Sequence, residues 1–571
     1  MCNSIAHIHL YGEYVQLDWV YIGVRCHAKK KKKMIDWIKN IFDKKEQNEL
    51  IEWRTEDSIF NFICKHLDIT GRLNDSVHDL PDENRNEDDD NKLRYAPGLM
   101  DAMFSSTDSV DSKSRINELS KLLKKIALTD DKESESKFYQ LVTSNENVIG
   151  IIDDFLQKIV SLSLAVEPYL FNFAKDLAFK TKHRNSVKFG LAIIGLCHNK
   201  SVTKEIKILG LHDELTIFST VALTNTSDNI VNDLWELAKK VDGWGKIQLV
   251  DRLAKMKLLD EHKDWLIREG YKNSIMFEYL AYSCAINGDL HLKLQQTSID
   301  NNLFKSSGEI IDALIAGGPA EDVFDYEYAA LTIENFIRHA KIMANGISDF
   351  LTLNRIKDFL IENQDDFGKQ QKNGWSEDII SGCLVNINEI LRSQDWETPT
   401  LAALKSTDNV VFWKAKQAAE MLNIDIWETV WARLLKNPMD SSAWYDVTFY
   451  AKQDNVDTII NFALETIPLK ELATGPRDCL GIGIKYIQYQ PLDSIITFLE
   501  NYPKKGEQLI ITGLNSPVTR NRNMAIQTLN KWKSENWSES IREQLENLKK
   551  IEPNKNTKSD IERLIDGKDI K

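Results

Sequence analysis

The chain is 571 residues long, 42% hydrophobic and 28% charged, with a formal net charge of −14, which excludes a general nucleic-acid binder because phosphate backbones recruit basic surfaces. Its seven cysteines, Cys2, Cys26, Cys64, Cys197, Cys284, Cys383 and Cys479, are scattered, odd in number and without a Cys-x-x-Cys pair. They write neither a disulfide framework nor a zinc site, and a reducing compartment, the cytoplasm, is expected.

Residues 1–33 have no clear period and end in five lysines, Lys29 to Lys33. From Met34 the pattern changes: Met34, Trp37, Ile38, Ile41 and Phe42 share one helical face. Met34 is therefore expected to be the natural start and residues 1–33 an extension of doubtful origin. The lysines beside that apolar face also admit an interfacial membrane helix. Residues 34–78 are read as an N-terminal helical segment, with a second short helix near Asp57 to Leu67. No run reaches the roughly 18 apolar residues of a membrane span, and no secretory signal is written at the N-terminus.

Residues 79–114, including DLPDENRNEDDDNK, are acidic and poor in branched apolar side chains. Such a stretch cannot offset its ordering entropy by burial, so a flexible, disordered linker is expected, with RYAPGLMDAMF docking as a short apolar patch. It lacks the Gly and terminal Glu spacing of a calcium loop.

Residues 115–550 repeat one pattern, short amphipathic helices joined by polar turns. In the stretch from Leu211 to Lys257, Leu215, Phe218 and Ala222 share one face, as do Ile230, Leu234, Leu237 and Val241, and then Ile247, Val250 and Ala254. The turn Asn225 to Asn229 carries side chains that cap the following helix. A unit of this size cannot bury its stripe alone and needs a similar neighbour on either side. Strand alternation is rare and no hairpin dipeptide joins two β-type runs, so the class is all-α. The spacing predicts further helices over, among others, Tyr328 to Ala344, Ile347 to Glu362 and Asp478 to Ile487. The last good unit, Gly513 to Trp532, resembles the HEAT-type helical repeat: Pro517 follows a first helix, then Arg522, Ala525, Leu529 and Trp532 recur at spacings of three and four. The architecture expected is a HEAT/armadillo-like α-solenoid, and residues 551–571 are expected to fray as a polar tail.

Searches for a dinucleotide loop, a Walker loop, a Gly-x-Ser-x-Gly elbow and a His-Glu-x-x-His pair find none. Leu472 to Gly481, LATGPRDCLG, carries Gly475, Arg477, Cys479 and Gly481 as Gly-x-Arg-x-Cys-x-Gly. That string resembles the haem-binding loop of the haem-thiolate cytochrome monooxygenases, which implies Cys479 as axial ligand, Arg477 on a haem propionate and glycines that admit the ring. Glu389 and Arg392 match that family's Glu-x-x-Arg, and Ala316-Gly317-Gly318 echoes its oxygen-binding helix. Leu472 departs from the usual Phe, Pro319 from an acid and Ala320 from the proton-delivering Thr. Without the resemblance, Pro476 and Asp478 open a helix with Cys479 as a buried thiol.

The stretches DGWGKIQLVDRL (Asp242 to Leu253) and AGGPAEDVFDYEYA (Ala316 to Ala329) resemble a group of bacterial proteins labelled limonene hydroxylase. The label implies an oxidoreductase using NAD(P)H and O2 to convert a small apolar terpene to carveol and perillyl alcohol, with associated alcohol dehydrogenase activity. A pocket rim would then use Asp322, Asp325, Tyr326 and Tyr328, although these also read as a solvated turn before the next helix. The architecture itself points instead to a non-catalytic scaffold that holds a protein partner on a concave face. Both readings stand at this point.

Overall fold

The computed structural model describes residues 53–74, 77, 79–83, 96–99, 110–144, 149–363, 373–568 and 570. The extension 1–33, the helix expected from Met34 and most of the acidic run lie outside them. Among the described residues there are 28 α-helices and no β-strand, so the fold is all-α. In chain order they begin with α1 (Ile59–Lys65), α2 (Val110–Thr129), α3 (Lys132–Thr143), α4 (Ile149–Ser161), α5 (Pro168–Phe179), α6 (Arg184–Cys197), α7 (Thr203–Leu209), α8 (Asp213–Thr226), α9 (Ile230–Ala238) and α10 (Gly243–Ala254). They continue with α11 (Asp260–Trp265), α12 (Glu278–Asn287), α13 (Leu290–Leu294), α14 (Asn301–Ala316), α15 (Ala329–Met343), α16 (Ile347–Glu362), α17 (Glu377–Ser393), α18 (Glu397–Ala403) and α19 (Asn409–Met421). The last are α20 (Trp427–Lys436), α21 (Ser441–Phe449), α22 (Val456–Thr466), α23 (Leu469–Leu472), α24 (Gln490–Leu499), α25 (Glu507–Leu514), α26 (Thr519–Trp532), α27 (Glu539–Ile551) and α28 (Lys555–Ile565). No described helix is long and apolar enough to cross a membrane.

The described residues divide into two compact units, one within 53–83, 96–339 and 359–383, the other within 340–358 and 384–570. In the first, helices pack on neighbours one and two along the chain: α5 on α6, α6 on α8, α8 on α10, α10 on α12, α12 on α14. Polar side chains start these helices as their spacing suggests. Asn229 accepts the Asn232 N–H at the head of α9, and Asp300 accepts the Leu303 N–H at the head of α14. Phe138, Phe155, Phe173 and Phe189, all fully buried, meet edge to face in the core. The helix α3 has too few apolar residues to show a period, yet Phe138 and Val142 suffice to dock it.

Parts of the expected linker are fastened to this unit. Leu80 is buried, and the Asp82 carboxylate accepts the backbone N–H of Arg184 at 2.7 Å. Gly98 donates its N–H to Glu214, itself bound to Lys188 at 2.6 Å. Of RYAPGLMDAMF only residues 96–99 are among the described ones, and there the Gly98 backbone lies against the Asp213 carbonyl.

In the second unit α21 packs on α24, α24 on α26, α25 on α26 and α27, and α28 on α26 and α27. Arg522, Ala525, Leu529 and Trp532 all face the core. Gly513 permits the close approach of α25 to α26, because a Cβ there would meet Ala525 and Ile496.

Three expectations are corrected. The helix expected over Asp478 to Ile487 is an extended turn followed by a 3-10 segment, Ile484–Tyr489. The Ala316-Gly317-Gly318 stretch lies at the end of α14, where Gly317 turns to φ +65°, so it is not inside a helix. Residues 555–565 do not fray: they form α28, with Thr557, Ile561 and Leu564 buried.

Candidate functional site

The turn from 473 to 483 is braced from inside by Arg522 and at its edge by Asn554, which donates to Asp478 at 2.9 Å. Arg522 is fully buried, and its Nε and Nη2 bind both oxygens of the buried Glu552 at 2.7 Å. Its remaining N–H groups reach the carbonyls of Ser516, Pro517 and Arg477 at 2.9, 3.0 and 2.9 Å. A guanidinium buried this way is tolerated because nearly every donor has an acceptor. Cys479 pairs with the head of α26 as an isolated parallel bridge: its carbonyl accepts the Thr519 N–H at 2.9 Å, and its N–H reaches Thr519 Oγ1. Gly481 then turns at φ +72°, directing Leu480 outward to 47% exposure. A side chain at Gly481 would collide with Val518.

Leu480 forms one wall of an open cleft of about 380 Å³. Its floor is the outer face of α26, Thr519, Arg520, Asn523, Met524 and Gln527, and Glu500 closes the far end. The polar groups are positioned from behind. Asp493 holds Arg520 side-on through Nε at 2.9 Å and Nη2 at 2.8 Å, and it also accepts from Asn521 at 2.6 Å. Burial raises the Asp493 carboxyl, against the opposing pull of Arg520. Thr557 on α28 donates to Asn523 Oδ1 at 2.7 Å, which leaves that amide's N–H groups outward. Glu500 is paired with Lys531. The cleft therefore offers an oriented cation, two carboxamides and an apolar wall, a set that binds; no nucleophile with an adjacent base lines it.

Gly475, Arg477, Cys479 and Gly481 share this turn, beside the cleft and outside its lining. Their arrangement does not fit a haem. Cys479 is buried, its Sγ accepts the Gly481 N–H at 3.3 Å, and Val518 fills the space over Gly481 that a ring face would need. The Arg477 side chain is exposed while its carbonyl serves Arg522. Glu389 is 65% exposed and paired with Lys341.

The other residues singled out from sequence lie in the first unit. Asp322 and Asp325 serve their own turn: Asp322 accepts the Phe324 N–H at 2.7 Å and Asp325 accepts that of Asp322 at 3.2 Å. Tyr326 is fully buried beside Thr332 and burial raises its phenol. Tyr328 stacks on His291 with ring centres 3.7 Å apart. The two tyrosine rings meet at 6.0 Å, edge to face.

At DGWGK the start of α10 is already occupied by an internal carboxyl group, that of Asp213. Asp213 lies against Gly243 and Gly245 and accepts the N–H groups of Trp244 and Gly245. Burial nevertheless pushes its carboxyl up to about 7, with Asp242 and Glu214 adding repulsion. A dinucleotide phosphate would need those same N–H groups, so this stretch does not fit NAD(P)H in that mode. No protein-family profile, curated protein or solved structure matches the chain.

The cleft residues Leu480, Glu500, Arg520, Asn523, Met524 and Gln527 were not singled out from sequence. One signal existed: Asn523 and Gln527 recur four residues apart on the exposed face of α26, away from its core positions.

Proposed function

We propose that this chain is a helical-repeat binding protein, its helical pairs stacking as a HEAT-like solenoid, whose cleft beside α26 holds an extended segment of a partner protein. The observation that carries the reading is the cleft's construction: Arg520 and Asn523 are each fixed from behind, and Leu480 is held outward beside them by the bridge to Val518. Such preorganisation lowers the cost of ordering side chains on binding. The packing of α5 on α6, α6 on α8, α8 on α10, α10 on α12 and α12 on α14, one or two along the chain, suits a repeat array. The scattered thiols make the cytoplasm the compartment of the same reading.

The test places a benzophenone side chain at Gln527. We expect a single cross-linked partner whose purified form binds the full chain one to one and is lost in Leu480→Asp. In parallel the purified chain is given limonene, NADH or NADPH, and oxygen. Carveol or perillyl alcohol formed in proportion to cofactor oxidised would overturn the binding-protein reading in favour of the hydroxylase. So would a haem-thiolate absorption band that disappears in Cys479→Ala.

A further inference from the structure

We infer that the cleft beside α26 recognises an internal acidic side chain next to an apolar one in an extended peptide segment, the carboxylate binding Arg520 and the apolar side chain resting on Leu480 and Met524. This rests on the binding-protein reading and adds the chemistry of the partner. Asp493 uses Nε and Nη2 of Arg520, and among the described residues Nη1 has no partner. The guanidinium therefore presents one pair of N–H donors in a fixed direction, which suits a carboxylate.

Locally the charges balance: Arg520 is paired with Asp493, Lys531 with Glu500 and the buried Arg522 with Glu552. Residues 501–550 together with those three acids carry nine Lys or Arg against eight Asp or Glu, a net of +1, whereas the whole chain is −14 and the remainder therefore −15. An acidic segment meets less repulsion at this stretch than over the rest of the chain. Length agrees as well. Thr519 to Gln527 covers about 12 Å along a helix axis, and four residues of extended chain span about 13 Å. Asn523 and Gln527, one turn apart and both exposed, offer amide donors and acceptors to the peptide main chain. Leu480 and Met524 supply the apolar contact that fixes which neighbour of the acid is accepted.

The probes are fluorescein-labelled tetrapeptide mixtures, X-Glu-Leu-X and X-Gln-Leu-X with both ends blocked, and X-Gln-Leu-X with a free C-terminus, titrated by anisotropy against the full chain. The blocked Glu mixture should bind at least about 10-fold more tightly than either Gln mixture, as expected for a charge-assisted contact, and should weaken as salt rises. Arg520→Gln should abolish the difference and Arg520→Lys retain part of it. Gln527→Glu, at an exposed position, should weaken the Glu mixture alone, with hydrogen exchange in α24 and α26 unchanged from the parent. Equal binding of the blocked Glu and Gln mixtures, no binding of any, or a Glu preference that survives Arg520→Gln would overturn the inference. Binding of the free-ended mixture as tight as the Glu mixture would overturn the choice of an internal acid. A partner cross-linked at Gln527 without acid dependence would leave the binding-protein reading standing while this inference fails.

Discussion

Replacing Arg522 by Met tests whether one buried side chain ties three chain segments together. The substitution keeps much of the volume but strands the Glu552 carboxylate, which is fully buried. Leaving one member of a buried pair alone costs about 3 to 5 kcal/mol. It also takes a donor from the carbonyls of Ser516 and Pro517, each costing about 1 kcal/mol, while the Arg477 carbonyl keeps Thr519 Oγ1 at 3.4 Å. The total, about 6 kcal/mol, is comparable to the stability of a small domain, so the second unit should open locally before it unfolds as a whole. The double variant Arg522→Met, Glu552→Leu removes the stranded charge and should recover about half, because the carbonyls remain unsatisfied. Hydrogen exchange read by mass spectrometry suits a chain of two units, where a single unfolding midpoint is ill-defined. Protection should fall together in residues 473–483, 515–519 and 555–565, and stay unchanged in α5 and α6. Undiminished protection of residues 555–565 in Arg522→Met would refute the reasoning, since Glu552 is what joins that helix to the arginine.

Other consequences follow from single contacts. Asp213 binds its proton more tightly folded than unfolded, so the stability it contributes is fully present below about pH 4 and is lost as pH rises through about 7. Asp213→Asn should flatten that part of the stability–pH profile by about 2 to 4 kcal/mol between pH 4 and 8, measured by urea titration; parallel profiles would count against it. Gly481→Ala should destabilise the turn by about 2 kcal/mol, from a positive φ and a clash with Val518, read as faster exchange at residues 479–483. Thr557→Val should release the Asn523 amide and weaken the Glu-containing peptides about 3-fold while leaving α28 folded, as followed by anisotropy and circular dichroism.

The core of α26 was legible because Arg522, Ala525, Leu529 and Trp532 obey the helical period and a Pro-containing turn precedes them. All four are buried. The turn beside it was misread for a physical reason. Cys479, Ile482 and Tyr486 fall at spacings of three and four and so imitate a helical stripe. Gly481 and Gly483, at φ +72° and +100°, break the helix between them, and Ile482 is 52% exposed. The polar composition of residues 551–571 similarly hid the spacing of Thr557, Ile561 and Leu564. That tail is anchored by the packing of α28 on α26 and α27 and by the Arg522–Glu552 pair, thirty residues apart, contacts that no local window contains.

The cleft was legible only in its floor. Its wall comes from Leu480, its end from Glu500 and its floor from residues 519–527, three segments joined by pairs of distant residues. Those pairs also explain how its parts are coupled. Glu552 fixes Arg522, which fixes the Arg477 carbonyl and so the turn that carries Leu480; Glu552 also accepts the Asn554 N–H at 3.0 Å. Asn554 caps α28 by accepting the Thr557 N–H at 3.1 Å, and Thr557 holds Asn523. The wall and the floor are thus positioned by the same buried carboxylate. A residue outside the cleft lining, Glu552, is therefore linked through hydrogen bonds to both Leu480 and Asn523, and tolerance for change should be lowest at that buried centre rather than on the exposed surface that makes the contacts.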